Sequence, residues 1–155
     1  MTDAAQPNNE AAQSTPHVRR LRVVVVTGDR AVFEGEAARV VAPAVSGQIT
    51  ILPRHAPLLA ALDSGELIVK NRSQEEHLAI GGGFIEVFDD AVTVLADSAE
   101  RAEEIDVLRA EAARQRAELA MRNHPAQRDF AAASQALRRS RLRLKVAQRV
   151  GRHRA

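Results

Sequence analysis

The chain has 155 residues, enough for one ordinary domain or for a small domain with an appendage. It has no Cys, which excludes disulfide staples, thiolate zinc sites and cysteine nucleophiles, and only 3% aromatic residues, which argues against a single-strand nucleic-acid binder. The net charge is +2, but residues 1–98 carry 8 basic and 13 acidic residues while residues 99–155 carry 14 and 7, so an acidic half precedes a basic half.

Residues 1–17 are Ala, Asn, Gln, Ser, Thr and Pro without a period, and read as a disordered extension. They contain no apolar segment of the kind a secretory signal needs. Short apolar runs then follow at 21–26, 31–33, 39–42, 49–52, 67–70, 77–80, 84–88 and 92–96. Between them lie turn formers, among them Gly28-Asp29, Pro43, Gly47, Asp63-Ser64-Gly65, Gly81-Gly82-Gly83 and Asp89-Asp90. β-branched runs punctuated at this spacing predict an all-β sandwich or barrel over residues 18–98. The Asp89-Asp90 pair suits a tight hairpin turn. The three glycines precede a strand and not a helix, so they are read as backbone flexibility between strands and not as a phosphate loop.

From Ser98 onward the residues are strong helix formers, giving a two-helix domain over 99–155. Asp97 or Ser98 can cap a first turn, with Glu100, Glu103 and Glu104 at its positive end. Asp106 can cap a main helix running to about Arg122, and His124-Pro125 breaks it. A second helix is expected from about Ala126 to Val150. Its stripe is Ala126, Phe130, Ala133, Leu137, Ser140, Leu144 and Ala147; the first helix offers Ile105, Leu108, Ala112, Gln115 and Leu119. Half of this seam is Ala, Ser or Gln, so the antiparallel hairpin is expected to be marginal and to open or change partners readily.

In the β half, Gly47-Gln48-Ile49-Thr50-Ile51-Leu52-Pro53-Arg54-His55-Ala56-Pro57-Leu58-Leu59 is followed by Gly82-Gly83-Phe84-Ile85-Glu86-Val87 and then Val92-Thr93-Val94-Leu95-Ala96-Asp97. With the helical continuation Ala99-Glu100-Arg101-Ala102-Glu103-Glu104-Ile105-Asp106, this ordered series resembles the epsilon subunits of F-type ATP synthases over residues 20–122. The resemblance implies a sandwich of about ten strands followed by a C-terminal α-helical hairpin. It implies a non-catalytic rotor part on the cytoplasmic face of a bacterial membrane, peripheral and held there through its complex. The implied partners are the gamma subunit, the ring of c subunits, and the catalytic beta subunits with alpha.

Site residues follow from the same resemblance. Gln48, Arg54, His55 and Pro57 fall where the family docks on gamma and the ring, with Gln48 standing where many members carry an acid. Pro53 and Pro57 stiffen the loop whatever its role. Ile105-Asp106-Val107-Leu108-Arg109-Ala110 matches a pattern with which some bacterial members bind ATP. Glu100 fits those members too, and Arg139 and Arg143 would add cations for phosphate. Asp106 as a helix cap and Arg109 as a solvated residue explain the same letters. No cofactor is required, and ATP would be a weak regulatory ligand.

The last eighteen residues hold Arg138, Arg139, Arg141, Arg143, Lys145, Arg149, Arg152 and Arg154, and no acid. Eight uncompensated cations repel one another along a helix, so an acidic partner is expected. The family places Arg138 to Lys145 against the acidic loop of the catalytic beta subunits, as a brake on ATP hydrolysis. Nucleic acid or anionic lipid would satisfy the charge alone. The acidic β half and scarce aromatics weigh against nucleic acid. No Ser/His/Asp arrangement, metal-spaced His cluster or P-loop is present, so catalysis by the chain itself is not expected.

Overall fold

The computed structural model describes residues 19–72, 74–123 and 127–152. The expected disordered extension, the break at His124-Pro125, the helix start at Ala126 and the cation Arg154 lie outside these residues.

The strands are β1 (Leu21–Val26), β2 (Ala31–Ala37), β3 (Arg39–Ala44), β4 (Gly47–Ile51), β5 (Leu58–Lys70), β6 (Glu75–Phe88), β7 (Ala91–Ala96) and β8 (Ala99–Arg101). A 3-10 turn at Ala102–Glu104 leads into α1 (Val107–Asn123) and α2 (Gln127–Arg152). The sheet runs in the order β2-β1-β7-β6-β5-β3-β4, with β8 also on β6. Period-two alternation sets the faces: in β1, Leu21, Val23 and Val25 point inward and are fully buried. They meet Val40, Ile51, Leu67, Leu78, Ile85, Val92 and Val94 in one aliphatic core.

Among the described residues eight strands form, where about ten were expected. β5 has 13 residues and β6 has 14, and they pair along nearly their whole length. The early part of β5 and the late part of β6 lie with β7, β1 and β2 in one layer. The late part of β5 and the early part of β6 lie with β3, β4 and β8 in the other. Each long strand therefore supplies a segment to both layers. The turn formers at Asp63-Ser64-Gly65 and Gly81-Gly82-Gly83 sit inside strands and mark this passage; they do not end one strand and begin another. Gly82 and Gly83 have φ of +116° and +121°, conformations that L side chains rarely adopt, and these bend β6 without ending its pairing.

The Asp89-Asp90 hairpin forms as expected. Both residues have positive φ, 48° and 57°, the pattern of a two-residue type I′ turn. The helical turn expected at Ser98 is absent. Residues 99–101 pair with Leu78, Ala79 and Ile80 instead, because the edge of β6 offers a ladder that a first helical turn would leave open. Asp106 does cap α1: its Oδ1 accepts the Arg109 backbone N–H at 3.0 Å.

The helix seam is only partly as expected. On α2, Ala133, Leu137 and Ser140 are buried, but Phe130 is exposed. On α1, Leu108 is 85% exposed and Leu119 55%, whereas Ala110 and Ala117 are buried. The cause is the sandwich. Ile105, Ala110 and Val146 cluster with Ala79 of β6, and that anchor fixes the rotation of α1. Where the helices face each other, Ala113, Ala117 and Ala120 of α1 and Ala132, Ala133 and Ala136 of α2 line an open groove.

Candidate functional site

The hairpin covers the outer face of one layer. The second half of α2 supplies Leu142, Val146, Ala147 and Val150 to the small cluster on Ala79. Around this thin apolar contact lies a set of ion pairs between helix cations and sandwich acids. Arg143 forks onto Glu100 through Nε and Nη2. Arg149 reaches Glu66 through Nε at 3.0 Å and Nη2 at 3.3 Å. Lys145 lies 3.6 Å from Glu66, Arg138 3.5 Å from Asp63, and Arg141 3.4 Å from Glu118 of α1. The acidic partner expected for the basic helix is thus, in this state, supplied by the chain itself, by Asp63 and Glu66 of the acidic half and by Glu100 and Glu118 beyond it.

These contacts differ in weight. The side chains of Arg138, Arg141 and Lys145 are 62–66% exposed, so their long pairs contribute little in water. Glu66 is the opposite case. Its side chain is 8% exposed and its carboxylate also meets Nδ1 of buried His77 at 2.9 Å. Burial disfavours its charge, but hydrogen bonds from Arg149 and then His77 outweigh burial and hold its pKa below the ordinary carboxylate value. Sequence reasoning did not single out Glu66. It sits in an acidic stretch with Asp63, and only the register that places it opposite Ala79 puts it beneath α2.

Of the five residues considered for nucleotide, Glu100, Arg139 and Arg143 line one groove of about 220 Å³ between α2 and β6–β8, together with Ser64 and Gly81. Asp106 and Arg109 are not among its lining residues. Asp106 is engaged as the α1 cap, and Arg109 is exposed. The groove holds a cation fork, but Glu100 occupies Arg143.

The docking residues fall in two places. Gln48 is exposed on edge strand β4, opposite Pro43 and close to the β3–β4 turn, where Val45 is 70% exposed. Arg54, His55 and Pro57 lie at the other end of β4. There Leu52-Pro53-Arg54-His55 forms a tight turn, closed by the His55 N–H on the Leu52 carbonyl at 3.0 Å. His55 Nδ1 is 2.7 Å from the Ala56 carbonyl oxygen and the ring is half-buried. The structure therefore does not unite Gln48 with the His55 loop in one contact patch.

A further surface was not foreseen. The outer face of the layer of β1, β2 and β7 is open and carries several large apolar side chains. Ala61, Phe84, Leu95 and Val26 form one cross-strand row, and Leu59, Glu86, Thr93 and Val24 the next. Leu59 is 73% exposed, Phe88 65%, Phe84 55% and Leu95 54%, an unusual grouping of large apolar side chains in water. The signal was present in β6, where Phe84 and Phe88 alternate with the core residues Ile85 and Val87. Among the described residues, no helix is long and apolar enough to cross a membrane.

Residues 20–102 match the family model described as ATP synthase, Delta/Epsilon chain, beta-sandwich domain, and residues 103–148 match ATP synthase, Delta/Epsilon chain, long alpha-helix domain. An ATP synthase epsilon chain of Dehalococcoides mccartyi is 49% identical over 135 residues, 86% of this chain and 96% of that one. That of Herpetosiphon aurantiacus is 48% identical over 128 residues, 83% and 94% of the two chains. Among solved structures, a chain of the Euglena gracilis mitochondrial ATP synthase (OSCP/F1/c-ring) superposes with a TM-score of 0.72 at 20% identity, covering 94% of this chain and 91% of that one. At that identity the likeness speaks for the fold alone.

Proposed function

The chain belongs to the ATP synthase delta/epsilon family, as a non-catalytic epsilon subunit, and from that premise we propose that it links gamma to the c-ring and restrains ATP hydrolysis through its basic hairpin. The single observation that carries the restraint is the pairing of α2 cations with the chain's own Glu66 and Glu100. A helix held mainly by charge over a thin apolar contact can exchange one acidic surface for another. The catalytic beta subunits, with alpha, would present the second. In the folded-down state the cations are engaged and the head turns over; released, α2 enters the head and blocks rotation during hydrolysis.

The open face of Leu59, Phe84, Phe88 and Leu95 supports docking on gamma, since a long-lived contact needs an apolar centre. The separate end of β4 that carries Gln48 and Val45 is assigned to the ring. Gln48 can hydrogen-bond to the ring but brings no charge. The subunit is then peripheral, held at the bacterial membrane through its complex.

The test is ATP hydrolysis by the same organism's catalytic head lacking this subunit, with nothing, the full chain, or a chain ending at Glu104. The full chain is expected to lower the rate severalfold, and the shortened chain is expected to bind without inhibiting. Inhibition by both would move the brake into the sandwich. Binding by neither would end the docking reading.

Nucleotide is a second reading, favoured by the groove in which Arg139 and Arg143 converge. ATP phosphate would displace Glu100 from Arg143 and hold the hairpin down. Calorimetric titration with millimolar ATP should give a heat that Arg143→Ala abolishes. If the parent gives none, ATP is no ligand here.

A further inference from the structure

The turn that carries the docking loop contains an anomaly. In Leu52-Pro53-Arg54-His55, Pro53 occupies the second position and Arg54 the third, with φ of +67°. That is the type II geometry, whose third position favours glycine because the left-handed region crowds a Cβ. Arginine there costs conformational energy that glycine would not. The fold opposes the strain with a dedicated contact: the Arg54 backbone N–H donates to Oδ1 of Asp90. Asp90 is itself left-handed, at +57°, in the hairpin after Phe88. Its backbone oxygen accepts the Arg22 N–H at 2.8 Å, and its Oδ2 lies 3.8 Å from Arg19. One aspartate thus ties the start of β1, the β6–β7 hairpin and the docking loop together.

The one of these contacts that reaches Arg54, from Asp90 Oδ1, acts on its backbone. Its side chain is exposed, and no ion pair or hydrogen bond of its guanidinium is present among the described residues. Strain maintained at a position where a smaller residue would relieve it points to a use for the side chain. The location says what use. The turn is pinned to the residues that follow Phe88, so it stands at the rim of the open apolar face. An apolar centre rimmed by arginine is the composition of a protein interface.

We infer that Arg54 is a specificity-determining cation at the rim of the gamma-docking face, presented by a strained turn that Asp90 pins, and that it binds a carboxylate of gamma. This rests on the docking reading above. A bidentate fit requires the guanidinium fork as well as the charge, so lysine replaces arginine only partly. Asp90 acts as a positioning residue, through the Arg54 N–H.

The experiment measures dissociation of the full chain from immobilised gamma and, separately, from detergent-solubilised c-ring, with thermal unfolding of each variant. Arg54→Gly is expected to unfold at the same or a higher temperature than the parent, yet leave gamma about tenfold faster. Arg54→Ala should leave equally fast without any gain in stability, and Arg54→Lys should fall between. Asp90→Ala should speed release as well. Parent-like release of Arg54→Gly from gamma overturns the inference, as does a change confined to the ring. His55→Ala and Phe88→Ala separate the two layers of argument. If they speed release while Arg54→Gly does not, only this inference fails; if none of the three does, the docking reading fails with it.

Discussion

Gly83→Ala is expected to cost about 4 kcal/mol, a large part of the stability of an ordinary domain. Two penalties combine at this residue. Its φ of +121° lies where a side chain is strained, worth about 1–3 kcal/mol. A Cβ there would also stand 2.1 Å from the Leu95 carbonyl oxygen and 2.8 Å from Ala96 Cα. Those atoms are backbone of β7, held in the β6–β7 ladder in which Gly83 faces Ala96, and cannot give way without breaking it. Gly82 isolates the first penalty. It has a similar φ of +116°, but its nearest neighbour is the end of the Asp97 side chain, which can rotate away. Gly82→Ala should therefore be destabilised clearly less. Gly28, with open space around it and no unusual φ, should accept alanine almost freely. Urea unfolding of the three variants should rank them Gly83, Gly82, Gly28 in order of loss. Equal losses at Gly83 and Gly82 would refute the close-approach argument.

The same residues show why part of the fold was legible and part was not. Local chemistry announced the hairpin at Asp89-Asp90 and the cap at Asp106, because each needs only neighbours in sequence. The three glycines were equally visible, but a glycine run marks departure from ordinary backbone without saying which departure. Continuity of β6 through Gly81-Gly82-Gly83 depends on β5 and β7 alongside it, and neither is local. Leu108 and Leu119 misled for a related reason. Periodicity reports which residues can share a face, and the anchor at Ile105, Ala110 and Val146 decides which face is used. The basic run of α2 was legible as a need for acid. That the acid lies within the chain required the register placing Glu66 and Ala79 opposite each other.

That internal pairing changes how the charge asymmetry of the sequence is understood. A net of −5 before residue 99 and +7 after it could serve two separate partners. In this structure the basic helix pairs first of all within its own chain, with Asp63 and Glu66 of the acidic half and with Glu100 and Glu118 beyond it. Any external acidic surface must compete with Glu66 and Glu100 for Arg149 and Arg143. The strength of the brake then depends on a difference of two affinities.

Glu66→Ala should shift that balance most. It removes the carboxylate shared by Arg149, Lys145 and His77 and leaves cations over a surface that no longer attracts them. Removing one partner of a fully buried pair costs about 3–5 kcal/mol, but Arg149 is 34% exposed and Lys145 62%, so about 2 kcal/mol is the reasonable figure. That is roughly a thirtyfold shift toward the released hairpin. Amide exchange should accelerate across the second half of α2 while β1 and β7 stay protected, and inhibition of the catalytic head should deepen. Acid should act in the same direction. The folded-state pKa of Glu66 is depressed, so its contribution is complete above the ordinary carboxylate pKa and is lost as pH falls through the lower folded value. In Glu66→Ala that pH dependence of α2 exchange should vanish. Faster exchange without deeper inhibition would keep the latch and remove the hairpin as the brake. Unchanged exchange would mean that the apolar contact at Val146, and not charge, holds α2 down.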